Sequence, residues 1–555
     1  MESYSSTTQT WLSWFMKGLL VFGFLFLLGR LIELQVIKGG YFRGLSENNR
    51  IRKVVITAPR GLILARGGEI LVGNRMVKKR LLFKPEGGIE KSNDLKGAGE
   101  SEIISEYIRD YPLGEAFGHV SGYLGEVSPE EVGKVNPVCS EKGARRLSSL
   151  VGRGGLEEQY NCLLSGVDGE EIIEVDTAGR MVRILGKNDP IPGKDIKTNI
   201  DYKLQKKAAE VMGGKKGAII ISDPTGEILA LFSSPSFDPK AFLSGTDKNT
   251  ILIILNDKDL PLFNRAIGGI FHPGSVFKPL VAIVALEEGK IDLNYRYEDQ
   301  GVISVKTLYG DFSYSNWYFS QYGKTEGTIG LSKAIARSTD TFFYTIGELV
   351  GIDKLVERMG NFGLNELTGI DVPGETKNLI PSPEWKLKAK GEKWFLGNTY
   401  HLSIGQGDLA LTPLALNRIP SVIASGGKLC IPRIVNKESF VNKDCKDLKI
   451  KKENLGLVKE GMVEACSIGG TGYTFFDWNN KESGPSIYSG QIACKTGTAE
   501  TNEDGKTHAW FTLFAPADSP EIILTVLVEG GGEGSKVAGP IAREVMDYWN
   551  LQKHP

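Results

Sequence analysis

Ser275-Val-Phe-Lys278 places a hydroxyl and a primary amine three residues apart, directly after Pro273-Gly274 and at the head of an apolar segment. At helical spacing the two side chains share one face and come within hydrogen-bonding reach. A serine hydroxyl is a weak nucleophile and needs an adjacent base. Lysine can be that base when burial and a nearby cation keep it neutral. The N-terminus of a helix also offers free backbone N–H groups that can hold an oxyanion. The motif by itself is common, since S-x-x-K arises by chance in many chains.

Two later motifs change its weight. Ser338-Thr339-Asp340 interrupts an otherwise apolar helical run with three polar residues. On its own it also fits a short polar patch at a helix bend. Lys495-Thr496-Gly497-Thr498 opens a strand after Ile492-Ala-Cys. A cation and two hydroxyls on a strand edge can bind a peptide and its terminal carboxylate, and the glycine lets that peptide approach. The order S-x-x-K, S-x-[ND], K-T-G within one hydrophobically patterned region is far more specific than any of the three.

The elements that must position these groups are legible from periodicity. Gly274 to Glu288 carries Val276, Phe277, Leu280, Val281, Ile283, Val284 and Leu286 at helical spacing, and Gly330 to Val350 is a second apolar helix pattern. Gly217 to Ser222 and Glu227 to Phe232 flank Asp223-Pro-Thr-Gly226 as a hairpin. Ile492 to Thr498, Ala509 to Ala515 and Glu521 to Val528 read as strands, closed by a helix from Gly539 to Tyr548. The expected class is α+β, an antiparallel sheet with helices on both faces. Upstream, short strands and turns from residue 39 to the turn-rich Lys187 to Gly193 predict a β-rich domain, with Asn74 to Ser105 as a loop-rich excursion. The expected division is 1–38 for tail and anchor, 39–195 for a non-catalytic pedestal and 196–555 for the catalytic domain.

At 555 residues the chain exceeds a single core. Lys and Arg number 66 against 67 Asp and Glu, so no basic face for nucleic acid is implied. The six cysteines and five histidines are dispersed, without zinc spacing. The cysteines read as small core residues or free thiols rather than a disulfide framework, and neither a metal nor a cofactor is expected. From Trp11 to Ile32 the chain is mostly Leu, Phe, Gly and Val, broken by Lys17 and Arg30. Gly18 to Gly29 alone has the length of a signal-peptide core. With the snorkelling ends included, the run reaches the roughly 20 residues that a bilayer needs. No small-x-small cleavage site follows, so an uncleaved transmembrane helix is expected. The flanking charges leave its orientation open.

The chain resembles class B penicillin-binding proteins of the elongation, or penicillin-binding protein 2, type. Beyond the three motifs, the resemblance rests on Ala58-Pro-Arg-Gly61, Gly118-His-Val-Ser-Gly-Tyr123, Gly152-Arg-Gly-Gly-Leu-Glu-Glu-Gln-Tyr160, Trp394-Phe-Leu-Gly397, Ser403-Ile-Gly-Gln-Gly407 and Trp510-Phe511. It implies a penicillin-binding, β-lactamase-like transpeptidase domain behind a membrane anchor and pedestal. Ser275 would be acylated by a D-Ala-D-Ala stem peptide or by a β-lactam, and Lys278 would take its proton. Ser338 would pass protons between Lys278, Lys495 and the leaving amine. Asp340 would hydrogen-bond the substrate amide or orient Lys278. Lys495, Thr496, Gly497 and Thr498 would bind the substrate, with the N–H groups of Ser275 and Thr498 as oxyanion hole. Gly405-Gln-Gly407 would shape a loop below the site, and His272 and Trp510 would line the pocket or, as the favoured reading, serve packing. The implied partners are peptidoglycan stem peptides, a RodA-like SEDS glycosyltransferase and other elongation proteins at the inner membrane, with the catalytic domain outside the cytoplasm. Two rivals remain: a membrane-bound D,D-carboxypeptidase or β-lactamase-like hydrolase, and a non-catalytic scaffold that activates a glycosyltransferase.

Overall fold

The computed structural model describes residues 6–83, 89–97, 99, 103–147, 149–176, 181–243, 248–307, 310–436, 445–480, 490–501 and 505–553. The chain forms two compact units: 1–59 with 74–108 and 166–193, and 60–73 with 109–165 and 194–555.

The first unit opens with an apolar helix, Ser6–Ile32, which overlaps a 28-residue helical stretch, Thr10–Ile37, with mean hydropathy 2.0. That stretch is long and apolar enough to cross a membrane. Next comes an antiparallel sheet in which Gly169–Val175 lies between Ile51–Ile56 and Met181–Asn188. Its core is small: Val54, Leu81, Ile173 and Val175. The expected loop-rich excursion is instead largely strand, with Ile70–Phe83 pairing to Ile89–Ser92, and Ile103–Asp110 also extended; residues 84–88, 98 and 100–102 of it lie outside the described residues. Its mostly polar, part-exposed side chains hid the alternation by which a half-buried strand is recognised.

The second unit is built on a five-stranded antiparallel sheet. In spatial order its strands are Ile228–Ser234, Gly217–Ser222, Ile522–Val528, Thr507–Ala515 and Ala493–Glu500. The inner strands are apolar on both faces, which requires cover on both. Trp510, Phe514, Ile523 and Leu527 pack with the helix Lys278–Glu287 on one side. Phe511, Leu513, Leu524 and Val526 pack with Tyr202–Met212 and Gly534–Lys553 on the other. Ala493–Glu500 is the edge strand of this sheet.

The six cysteines correct the expectation of free thiols. All are paired, Cys139 with Cys162, Cys430 with Cys445 and Cys466 with Cys494, at Cα separations of 5.7, 3.9 and 5.8 Å. The partners lie 15 to 28 residues apart and meet only through tertiary structure. Cys430 and Cys445, for example, face each other across a short antiparallel pairing. Sequence spacing carries no such signal.

Candidate active site

Ser275 lies in a 3-10 turn, Gly274–Phe277, and Lys278 is the first residue of the α-helix that continues to Glu287. The turn is seated on the Gly405-Gln-Gly407 loop. The Gly274 N–H donates to Gly405 O at 2.8 Å, and Gln406 Nε2 reaches Thr498 O at 3.5 Å. Gly405 has φ +76°, and a Cβ there would stand 2.2 Å from Gly274 O. Only glycine allows this approach. The loop that the sequence placed below the site therefore holds the backbone of the nucleophile turn. Trp510 is fully buried and donates Nε1 to His272 O at 2.9 Å, fixing the segment just before that turn.

The second apolar helix pattern is two helices, Leu331–Arg337 and Asp340–Val350. They break at Ser338, which takes the left-handed conformation (φ 58°, ψ 38°). The polar trio marks this break. It turns both oxygens of Ser338 toward Lys278, whose Nζ donates to Ser338 O at 2.8 Å and to Ser338 Oγ at 3.1 Å. Asp340 opens the next helix and accepts from the same Nζ at 2.6 Å. Its other oxygen accepts from the Trp317 N–H at 3.1 Å, while Asn316 Oδ1 accepts from the Asp340 N–H at 3.2 Å.

Lys495 comes from the edge strand. Its Nζ donates to Ser338 Oγ at 2.9 Å and to Thr496 O at 3.0 Å. The Ser338 hydroxyl thus sits between the side-chain nitrogens of two fully buried lysines. Burial pushes the Lys278 pKa down, and the Asp340 carboxylate opposes this without restoring the ordinary value. Lys495 is pushed well below the ordinary lysine range, by burial first and by the Lys278 charge second. Two lysines face one carboxylate, and among the described residues Lys495 has no carboxylate of its own. An anionic ligand group would fill that deficit.

The structure brings Lys278, Ser338, Asp340 and Lys495 into one hydrogen-bonded cluster. Ser275 is half-buried at its edge, and among the described residues its Oγ is not one of the partners of Lys278 Nζ. Nucleophile–base contacts are commonly loose until substrate is bound. Thr496 and Thr498 lie on the same strand. Thr496 Oγ1 donates to Thr471 Oγ1 at 2.8 Å, and Thr498 Oγ1 accepts from the Gly534 N–H at 3.3 Å. Sequence reasoning missed Asn316, Trp317 and Thr471. None stands in a recognisable motif, and each reaches the site through chain reversals that periodicity does not encode.

Residues 217–547 match the penicillin binding protein transpeptidase domain family, and residues 84–198 match the penicillin-binding protein dimerisation domain family. A peptidoglycan D,D-transpeptidase MrdA of Acinetobacter baumannii is 32% identical, over 97% of this chain and 87% of the relative. The crystal structure of Pseudomonas aeruginosa PBP2 in complex with WCK 5153 is similar, with a TM-score of 0.72 and 31% identity over 90% of this chain and 96% of the other. The PBP2 of Helicobacter pylori, in its complex with MreC, gives a TM-score of 0.74 and 27% identity over 91% and 100% of the two chains.

Proposed function

The chain belongs to the family of penicillin-binding protein transpeptidases, and from that premise we propose that Ser275 is the nucleophile with which it cross-links peptidoglycan. The activity is serine-type D,D-transpeptidation of peptidoglycan in cell elongation, and the chain is a β-lactam target. The observation that carries the residue assignment is the Ser338 hydroxyl held between Lys278 Nζ and Lys495 Nζ, 3.1 and 2.9 Å away.

Lys278 is the base. Its buried amine is biased toward the neutral form, and in that form it takes the Ser275 proton as Oγ attacks the carbonyl of the penultimate D-Ala. The N–H groups of Ser275 and Thr498 stabilise the oxyanion. The C–N bond to the terminal D-Ala then breaks. Its amine receives a proton from Ser338, which is replenished from a lysine on either side. Lys495, Thr496 and Thr498 hold the substrate carboxylate, with Gly497 leaving room for the peptide, and Asp340 orients Lys278. An acceptor amine then attacks the Ser275 ester, releasing the cross-linked peptide and returning the serine.

The apolar Thr10–Ile37 stretch anchors the protein in a membrane. We assign residues 39–195 to the pedestal, 196–555 to the catalytic domain, and the catalytic side to the exterior of the inner membrane. Disulfides persist in oxidising compartments, and all the cysteines are paired. A RodA-like glycosyltransferase is the proposed partner, together with an MreC-type protein like the one bound by the Helicobacter pylori relative.

Mass spectrometry after penicillin treatment tests the assignment. One drug mass is expected on the peptide containing Phe271 to Lys278, with a lifetime of many minutes, and Ser275→Ala is expected to lose it. An adduct that survives in Ser275→Ala moves the nucleophile elsewhere, and rapid turnover of the drug points to a hydrolase.

A further inference from the structure

Thr496 belongs to the substrate-binding strand, yet its hydroxyl is engaged by a residue outside all three motifs, Thr471, at 2.8 Å. Thr471 sits in a tight turn, Ser467 to Gly472, that follows the helix Lys452–Ala465. The turn is fastened at several points. The Gly472 N–H donates to Ala465 O at 2.7 Å, and the Gly470 N–H to Ser467 O at 2.9 Å. Cys466, at its head, is bonded to Cys494, the residue immediately before Lys495, and both are fully buried. Gly472 lies flat on that bridge: a Cβ there would stand 2.7 Å from Cys494 Sγ and 2.9 Å from Cys466 Sγ. On the other side Arg337, the residue before Ser338, donates to Gly469 O at 3.0 Å. Buried Asn479 ties Val463 O to Ile492 O, at 3.1 and 2.9 Å. One short turn therefore joins the strand of the third motif to the helix end of the second.

We propose that this disulfide-fastened turn is a positioning device for carboxylate recognition, in which Thr471 sets the hydroxyl of Thr496. A hydroxyl has one proton and two acceptor sites. In the structure Thr496 Oγ1 donates to Thr471 Oγ1. When a ligand carboxylate arrives the two hydroxyls reverse, so that Thr471 donates to Thr496 Oγ1 and Thr496 donates to the carboxylate beside Lys495 Nζ. Thr471 touches no reacting atom. The Cys466–Cys494 bond fixes the turn against the strand, so the two hydroxyl oxygens are held within hydrogen-bonding distance before ligand arrives. The inference rests on the reading of Ser275 as nucleophile and Thr496 as a carboxylate ligand.

The test uses full-length protein in detergent and compares acylation by a penicillin with acylation by its methyl ester, which lacks the carboxylate. Thr471→Val, close in volume but without the hydroxyl, is expected to lower the apparent affinity for the acid roughly tenfold, the size of one hydrogen bond to a charged group. The limiting acylation rate and the reaction with the ester should be unchanged, and Thr471→Ser should restore wild-type discrimination. The Cys466→Ala/Cys494→Ala double variant should show the same acid-selective loss, which keeps the idea testable if Thr471→Val folds poorly. Equal loss for acid and ester, or no loss for either, overturns the proposal. Failure of the unaltered protein to be acylated at Ser275 would instead overturn the reading on which it rests.

Discussion

Two buried clusters in the second unit have the same charge count and opposite consequences. Glu157 lies between Arg60 and Arg109, each guanidinium 2.6 Å from a carboxylate oxygen. Asp340 lies beside Lys278 at 2.6 Å, with Lys495 one hydroxyl further on. Each cluster holds two cations and one carboxylate. In the first, burial alone would raise the Glu157 pKa, but the two arginines outweigh it and hold the group below the ordinary carboxylate range. Arginine does not surrender its proton in proteins, so that cluster has one protonation state and acts as a clamp. Burial of the same kind pushes both lysines down instead. The difference between clamp and proton relay is the choice of cation, and neither burial nor net charge separates the two.

The largest expected effect breaks the clamp. Glu157→Gln leaves two guanidiniums facing a neutral amide in a fully buried position, and removing one partner of a buried pair costs about 3–5 kcal/mol. Urea unfolding should show that loss, while penicillin acylation of the remaining folded protein stays unchanged. A stable Glu157→Gln variant would mean that the triad is not the clamp described. Next comes an exchange of cations. Lys278→Arg keeps a charge for Asp340 but offers no neutral base, so acylation should fall by roughly 10²-fold or more. Lys278→Met, close in length and uncharged, should fall as far. Near-normal acylation by the arginine variant would show that Lys278 acts through its charge alone.

The relay cluster was readable in the sequence because its chemistry is tied to local spacing. The motifs of Ser275, Ser338 and Lys495 each fit within one helical turn or one strand edge, and the apolar periodicity around them located the helix, the edge strand and both covered faces of the sheet. The partners of the cluster were not readable. Asp340 takes the Trp317 N–H and Thr496 takes Thr471, 23 and 25 residues away, through turns whose geometry follows from packing. The polar trio allowed a bend at Ser338, but the apolar pattern continues on both sides of it and did not separate one bent helix from two helices. The left-handed residue there is a serine rather than the glycine by which such breaks are usually recognised. The cysteines were misread for the same reason. Pairing across 15 to 28 residues is decided by tertiary contacts, and an intramembrane or cytosolic chain with the same spacing would leave them reduced.

The smallest expected effect lies within the relay. Asp340 favours the cationic form of Lys278, in opposition to burial. A lysine must be neutral to accept the Ser275 proton, so acylation should fall as the pH drops through the Lys278 pKa, which lies below the ordinary lysine value. Replacing the carboxylate by an amide removes the negative charge that favours the cation, and the pKa should drop further. The acid limb of the acylation profile in Asp340→Asn is therefore expected at lower pH than in the unaltered protein. The plateau should also fall, because a hydrogen bond is lost. The two oxygens of Asp340 accept from Lys278 Nζ and from the Trp317 N–H, whereas asparagine has one oxygen and can serve only one of them. A lost hydrogen bond of about 1–1.5 kcal/mol corresponds to a decrease of up to about tenfold. Penicillin acylation measured from pH 5 to 10 reads both quantities. A limb that moves to higher pH would show that the charge of Asp340 acts on some group other than the base. Complete loss of acylation would show that the carboxylate is indispensable and that the amide cannot stand in for it.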